Sequence, residues 1–297
     1  MKQFFKYAVP CIFLLSLIVA CDKEYDTIEV IDDKNVNAYI QQNKLNLVEY
    51  KDTGIYYEII NPGSGADLEN SEEVPIVYSS KSLDGKYISL DTFNINNRTY
   101  RYLGYIFPEA LRIGIKDILK KRSGILRLII PSRLAFGRNG SGNIPGNVSL
   151  DLTVKVLDKS KIAEYDDFSI KKYLSANNLT GFTKTTSGLY YKIAEIGTGS
   201  PITIDSTVVA EYTGKFFNGI VFDKTVKGNG ATFDLNGDTD PRTIPNQGWL
   251  EALPLIKQGG SIRLILPSSL GYGLRGSDQG IPAFSCLDFE VKVTDVL

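Results

Sequence analysis

The chain has 297 residues, with 33 Lys and Arg against 34 Asp and Glu, and no histidine. A charge near zero without a basic stripe argues against nucleic acid as a partner. The missing imidazole removes Ser/His and Cys/His catalytic pairs together with the commonest zinc ligand, so hydrolase and zinc-enzyme readings fall and neither a cofactor nor a metal is expected.

The first residues carry Lys2 and Lys6, then an almost uncharged run over residues 7–20, which is the pattern of a secretory signal. The run is short of the ~20 apolar residues a permanent membrane helix needs, and Asp22, Lys23 and Glu24 follow it directly. It ends in Ile18-Val19-Ala20-Cys21, which resembles the lipobox of bacterial lipoproteins, where the cysteine is acylated and becomes the mature N-terminus. That resemblance implies a signal peptide over residues 1–20 and lipid on Cys21. The body would then be tethered to a bacterial membrane, expected to be the outer one, facing the periplasm or the cell surface. Cys11 leaves with the signal and Cys21 takes lipid, so Cys286 stands alone and no intrachain disulfide is possible. Cys286 is expected to pack as a small buried hydrophobe.

The rest of the chain repeats itself. Asp32-Asp33 with Val36, Tyr39 and Ile40 recurs as Asp166-Asp167 with Ile170, Tyr173 and Leu174, an offset of 134 residues. The same offset carries Gly54-Ile55-Tyr56-Tyr57 onto Gly188-Leu189-Tyr190-Tyr191 and Tyr78 onto Tyr212. Later pairs drift slightly, Pro131 to Pro267 and Ile144-Pro145 to Ile281-Pro282.

Each copy opens with a helical pattern and continues as short strands between Gly, Asn and Asp turns. In the second copy residues 249–257 read as one short helix with Leu250, Leu253 and Ile256 facing a sheet. Ser261–Leu266 and residues 287–293 alternate as half-buried antiparallel strands. On that alternation Asp288 and Glu290 point outward and are expected to be solvated surface. Glycine pairs at 197–199 and 228–230 read as turns, since neither opens a helix after a parallel strand. The predicted architecture is α+β: a tether and short helix over 21–44, one copy over 45–158, a helical linker over 159–185 and a second copy over 186–297. Each copy is a curved antiparallel sheet wrapped on one short helix.

Residues 187–297 carry five strings in order: Val209-Ala210-Glu211-Tyr212-Thr213-Gly214, Gly219-Ile220-Val221-Phe222-Asp223, Gly248-Trp249-Leu250-Glu251-Ala252-Leu253, Leu270-Gly271-Tyr272-Gly273, and Ile281-Pro282 ahead of Leu287-Asp288-Phe289-Glu290-Val291. Together they resemble the FKBP family of prolyl isomerases. The resemblance implies an aromatic cup for a proline ring, with Trp249 as floor, Tyr212, Phe222 and Phe289 as walls and Ile281 at the lip. It makes Tyr272 a hydroxyl donor to a substrate carbonyl and Asp223 a polar group at the rim. It also implies Pro-containing segments of exported proteins as partners. Departures from the family pattern fall at Ala231, where a mouth aromatic is usual, at Ser277, where a histidine is frequent, and in a lengthened Thr243-Ile244-Pro245-Asn246-Gln247 that bears on Ile244 as a backbone donor.

At the matching positions the first copy keeps Tyr78 and Ile144 but has Ile88 and Ser89 for Phe222 and Asp223, Phe136 for Tyr272 and Leu152 for Phe289. The tryptophan has no counterpart, and the helix region over 113–121 reads as about two residues shorter. The first copy is therefore expected to share the fold without the isomerase site. Two functions stay open: an isomerase that assists folding of exported proteins, working through the second copy only, or a lipid-anchored scaffold that binds Pro-containing segments without turnover.

Overall fold

The computed structural model describes residues 26–89, 97–236, 246–278 and 280–297. The signal, Cys21 and residues 243–245, Ile244 among them, lie outside the described residues.

Runs rich in Val, Ile, Tyr and Thr prefer the pleated, half-buried setting of a strand, and each copy converts them into one antiparallel sheet. The first is built from β1 (Val48–Glu49), β2 (Tyr56–Asn61), β3 (Glu73–Ser82), β4 (Ile88–Ser89), β5 (Arg98–Tyr102), β6 (Ile125–Ile130) and β7 (Leu150–Val156). The second uses β8 (Thr183–Lys184), β9 (Tyr190–Glu195), β10 (Thr207–Phe216), β11 (Val221–Lys224), β12 (Ala231–Asp234), β13 (Ser261–Leu266) and β14 (Leu287–Val296). Both sheets have one strand order: β1-β2-β6-β7-β3-β4 with β5 on β3, and β8-β9-β13-β14-β10-β11 with β12 on β10. The duplication read from the sequence is thus a duplication of topology. The sheets are open, with short outer strands.

Four α-helices flank them among the described residues: α1 (Ile28–Gln42), α2 (Glu109–Ile113), α3 (Ile162–Ala176) and α4 (Gln247–Ala252). The short helix α4 starts where the Asn246 side chain accepts from the Trp249 amide at 3.3 Å, an N-cap that satisfies one orphan donor. It stops where Pro254 has no N–H to continue the ladder, and Leu253–Leu255 tighten into a 3-10 turn. The helix therefore begins and ends earlier than residues 249–257.

In the first copy the corresponding stretch is two residues longer, not shorter. It runs from the N-cap Pro108 to the strand start Ile125, against Asn246 to Ser261. The surplus is absorbed as a π-helix, Gly114–Leu119, continuing α2.

Strand alternation gives each sheet two apolar faces. In β13, Leu264 and Leu266 pack inward on Trp249, Ala252 and Leu253, while Ile265 faces outward onto Ile170 and Tyr173 of α3. In β6, Leu126, Leu128 and Ile130 face inward and Ile129 meets Val36 and Tyr39 of α1. Each copy is therefore three layers, a short helix, a sheet and a fifteen-residue helix.

This outer helix overturns the reading of Asp288 as solvated. Asp288 does point outward, but it is 1% exposed, covered by α3, whose Tyr173 donates its hydroxyl to it at 2.7 Å. Arg263 grips it with two hydrogen bonds, 3.0 and 2.6 Å. Glu290 stays half exposed and pairs with Lys215 at 3.1 Å. The first copy repeats the device: Tyr39 donates to Asp151 at 2.8 Å, and Arg127 holds it at 3.0 and 2.8 Å.

A second buried carboxylate anchors each outer helix. Asp166 accepts from the Ser268 amide at 2.9 Å and its hydroxyl at 2.6 Å. Asp32 accepts from the Arg133 amide and the Ser149 hydroxyl, at 3.1 and 3.0 Å. Cys286 is buried beside α3 with Ile170 and Tyr173, and burial pushes its thiol up.

A hydrogen bond to a buried charge is worth ~1.5–3 kcal/mol. Tyr173→Phe is therefore expected to lower full-chain stability by about that amount in urea unfolding, while Glu290→Gln, on the same strand but exposed, stays within about 0.5 kcal/mol. Equal, small effects from both would show that α3 docks without the carboxylate.

Candidate active site

The inward face of the second sheet gathers side chains from separate strands over α4. Tyr212 is on β10, Phe222 and Asp223 on β11, Phe233 on β12 and Phe289 on β14. Gly214 lets them converge: it pairs with both Asp223 and Phe289 across the sheet, and a Cβ there would lie 2.6 Å from the Phe222 ring and 2.8 Å from the Phe289 ring. Any larger residue would push these walls apart. Gly248, one residue before Trp249, is constrained likewise, since a Cβ would sit 2.3 Å from Leu266.

Trp249 is the hub of the ring cluster. Its indole is edge-on to Tyr212 at 5.3 Å, to Phe233 at 5.2 Å and to Phe289 at 5.6 Å between centroids. Phe222 meets Phe289 edge-on at 5.5 Å and lies 4.8 Å from Phe216. Edge-to-face packing directs positive ring edges onto negative faces, so the walls are mutually fixed. Trp249 and Phe289 are fully buried and Ile281 nearly so.

The polar groups are few. Tyr212 donates to Asp223 at 2.5 Å, and burial together with that carboxylate holds its phenol well above the ordinary tyrosine range. Burial first, and then the charge of Asp223, push Tyr272 up to about 12. The Tyr272 hydroxyl makes no hydrogen bond among the described residues, and the Trp249 indole N–H likewise finds no partner there. The region thus holds an apolar cluster with one acidic group at its rim and two donors left over.

All seven residues singled out from the sequence, Tyr212, Phe222, Asp223, Trp249, Tyr272, Ile281 and Phe289, fall in this region. The reading missed Phe233 and Phe216. Strand alternation would have found Phe233: it lies two residues beyond Ala231 on one strand face, and it pairs with Val208, whose side chain is in the core.

The lip loop is held from outside its own domain. Phe284, fully buried, packs with Val77 and Tyr100 of the first copy and Ile162. Arg98 donates to the Phe284 carbonyl at 2.9 Å, with its guanidinium 5.4 Å from the ring. Arg275 pairs with Glu73 at 2.7 Å. The backbone of Phe284 has φ of +37°, a region that costs a side-chain-bearing residue energy unless its surroundings impose it. The first copy supplies part of those surroundings.

In the first copy Leu111 stands third from the helix cap, where Trp249 stands in the second. Tyr78, Ile88, Ser89, Phe136, Ile144 and Leu152 line the matching hollow.

Truncating a packed aromatic costs ~3–5 kcal/mol. Phe284→Ala is expected to speed amide hydrogen exchange across residues 273–285 while leaving the β2 and β6 amides protected. Unchanged exchange in that loop would show that the first copy does not hold it.

Residues 199–294 match the family model described as FKBP-type peptidyl-prolyl cis-trans isomerase. The chain is 40% identical over 128 residues to the FKBP-type 22 kDa peptidyl-prolyl cis-trans isomerase of Escherichia coli strain K12, a match covering 42% of this chain and 59% of that protein. It therefore spans less than two thirds of that relative. Over 208 residues it is 30% identical to the FKBP-type peptidyl-prolyl cis-trans isomerase FkpA of Buchnera aphidicola subsp. Baizongia pistaciae, covering 66% of this chain and 76% of that one. The crystal structure of FkpA from Escherichia coli is similar at 34% identity and a TM-score of 0.39, covering 46% of this chain and 62% of that chain.

Proposed function

The chain belongs to the FKBP-type peptidyl-prolyl cis-trans isomerase family, and from that premise we propose that its second copy rotates X-Pro bonds in client proteins within the aromatic cup around Trp249. The observation that carries this reading is the ring cluster itself, with the Tyr272 hydroxyl left over beside it. An X-Pro bond has cis and trans forms of similar energy, separated by a barrier of ~18–20 kcal/mol that comes from amide resonance. Rotation needs no nucleophile. The twisted imide is less polar than the planar one, so a dry aromatic surface that binds it better lowers the barrier.

In this scheme Tyr212, Phe222, Phe233 and Phe289 take the proline ring from water, with Trp249 beneath. Tyr272 donates to a flanking carbonyl. Asp223 orients Tyr212 through their 2.5 Å hydrogen bond and transfers no proton. A second reading, a scaffold that holds Pro-containing segments without turnover, draws on the complete burial of Trp249, and the turnover assay separates the two.

The full chain is expected to accelerate exchange of a short Xaa-Pro peptide measured by NMR. Tyr272→Phe is expected to lower kcat/KM about fivefold, the worth of one neutral hydrogen bond at ~1 kcal/mol. Phe222→Ala should cost more, with circular dichroism separating lost catalysis from lost fold. Because burial and the charge of Asp223 push Tyr272 up to about 12, it is a neutral donor across the neutral range, and with no histidine present the rate should be flat from about pH 6 to 9. A bell-shaped profile, or abolition by a folded Asp223→Asn, would replace this account with acid/base catalysis.

We further propose that Ile18-Val19-Ala20-Cys21 directs acylation of Cys21, so that the domains act on exported proteins from a membrane surface. The wild-type chain should then sediment with membranes and Cys21→Ala should not. A soluble, unacylated wild-type product would end this reading.

A further inference from the structure

The first copy retains a cavity of about 360 Å³ where the second has its cup. Leu111 lies at its floor, with Tyr78, Phe136 and Leu152 around it. Phe107 and Ile88 stand at the rim, 65% and 62% exposed, and Phe107 meets Phe136 edge-on at 5.5 Å. Among the described residues no charged side chain lines the space.

One polar group in it lacks a partner. Asn97 is 2% exposed, and its Oδ1 accepts from the Ser89 hydroxyl at 2.7 Å. Its Nδ2 has no hydrogen-bond partner among the described residues, although a buried donor left unpaired is costly. Asn97 borders the cavity, so an occupant can supply the acceptor. An anion would enter a space where no cation among the described lining residues meets it. A neutral main-chain carbonyl satisfies the amide without that penalty, and the exposed apolar rim suits the side chain beside such a carbonyl.

We propose that this cavity is a second, non-catalytic peptide site, which takes one large apolar side chain of an extended uncharged segment while an adjacent main-chain carbonyl accepts from Asn97 Nδ2. Proline is not required. Phe136, Ser89 and Leu111 stand where the second copy has Tyr272, Asp223 and Trp249, so the site holds a segment without the groups assigned to rotation. The proposal is independent of whether the second cup turns over substrate.

The test uses the full chain, methyl-labelled at Ile, Leu and Val, titrated with acetyl-Ala-Leu-Leu-Phe-amide, a probe without proline. Saturable shifts are expected at the Ile88, Leu111, Ile144 and Leu152 methyls. Asn97→Asp, which removes the donor at nearly constant shape, should weaken binding about fivefold. Phe107→Ala, at an exposed rim position, should weaken it too, with circular dichroism confirming the fold. Silent first-copy methyls would overturn the site. Unchanged affinity in a folded Asn97→Asp would overturn the assigned contact, and unchanged affinity in Phe107→Ala would overturn the placement of the mouth.

Discussion

Each copy of this fold depends on a carboxylate buried under a helix. Asp151 and Asp288 sit on the outer face of their sheets, where an unpaired charge would be intolerable. An arginine two-pronged on the carboxylate and a tyrosine reaching down from the outer helix make the burial tolerable. Removing the helix would expose an apolar stripe that includes Ile129 or Ile265 and strip a hydrogen bond from the charge. The outer helix is therefore a layer of each domain, and α3 belongs to the second sheet as fully as α1 belongs to the first. The stacking of Tyr173 on Phe217, 4.0 Å apart and nearly parallel, extends the same contact.

A sheet fixed on its outer face can be specialised on its inner one. Both copies wrap a short helix with the same strand order, yet the inner faces have diverged. In the second, Gly214 opens room for the Phe222 and Phe289 rings, and Trp249 collects Tyr212 and Phe233 as well as Phe289 around itself. In the first, aliphatic residues take over from rings, and a hollow is left behind that no charged side chain lines among the described residues. The anchors have diverged as well. Arg133 lies 3.6 Å from Asp32, whereas burial pushes Asp166 up, against hydrogen bonds from Ser268 that pull it down.

The copies are not independent beads. Arg98, Tyr100 and Val77 of the first hold Phe284 in the loop that carries Ile281 of the second. Loops of this kind are drawn from the least stable parts of a fold, and the clamp ties this one to the first copy without touching the rings around Trp249.

The sequence by itself determined the duplication, the α+β class, the strand phases of Ser261–Leu266 and residues 287–293, and seven of the residues that fall in the region around Trp249. The strand phases and the class are legible because they rest on local periodicity, the duplication because it repeats at a fixed offset, and the seven residues because the strings that carry them resemble the FKBP family. It misjudged Asp288, because alternation tells which face a side chain takes and not what covers that face: Tyr173 lies 115 residues away. The helix lengths went astray where a π-helix took up inserted residues and where an asparagine cap and a proline fixed α4 at both ends. Phe233 was within reach of strand alternation and was missed, whereas the grip of Arg98 on the lip loop was decided by tertiary structure alone, because it depends on two domains brought together by packing and no spacing along the chain encodes that distance.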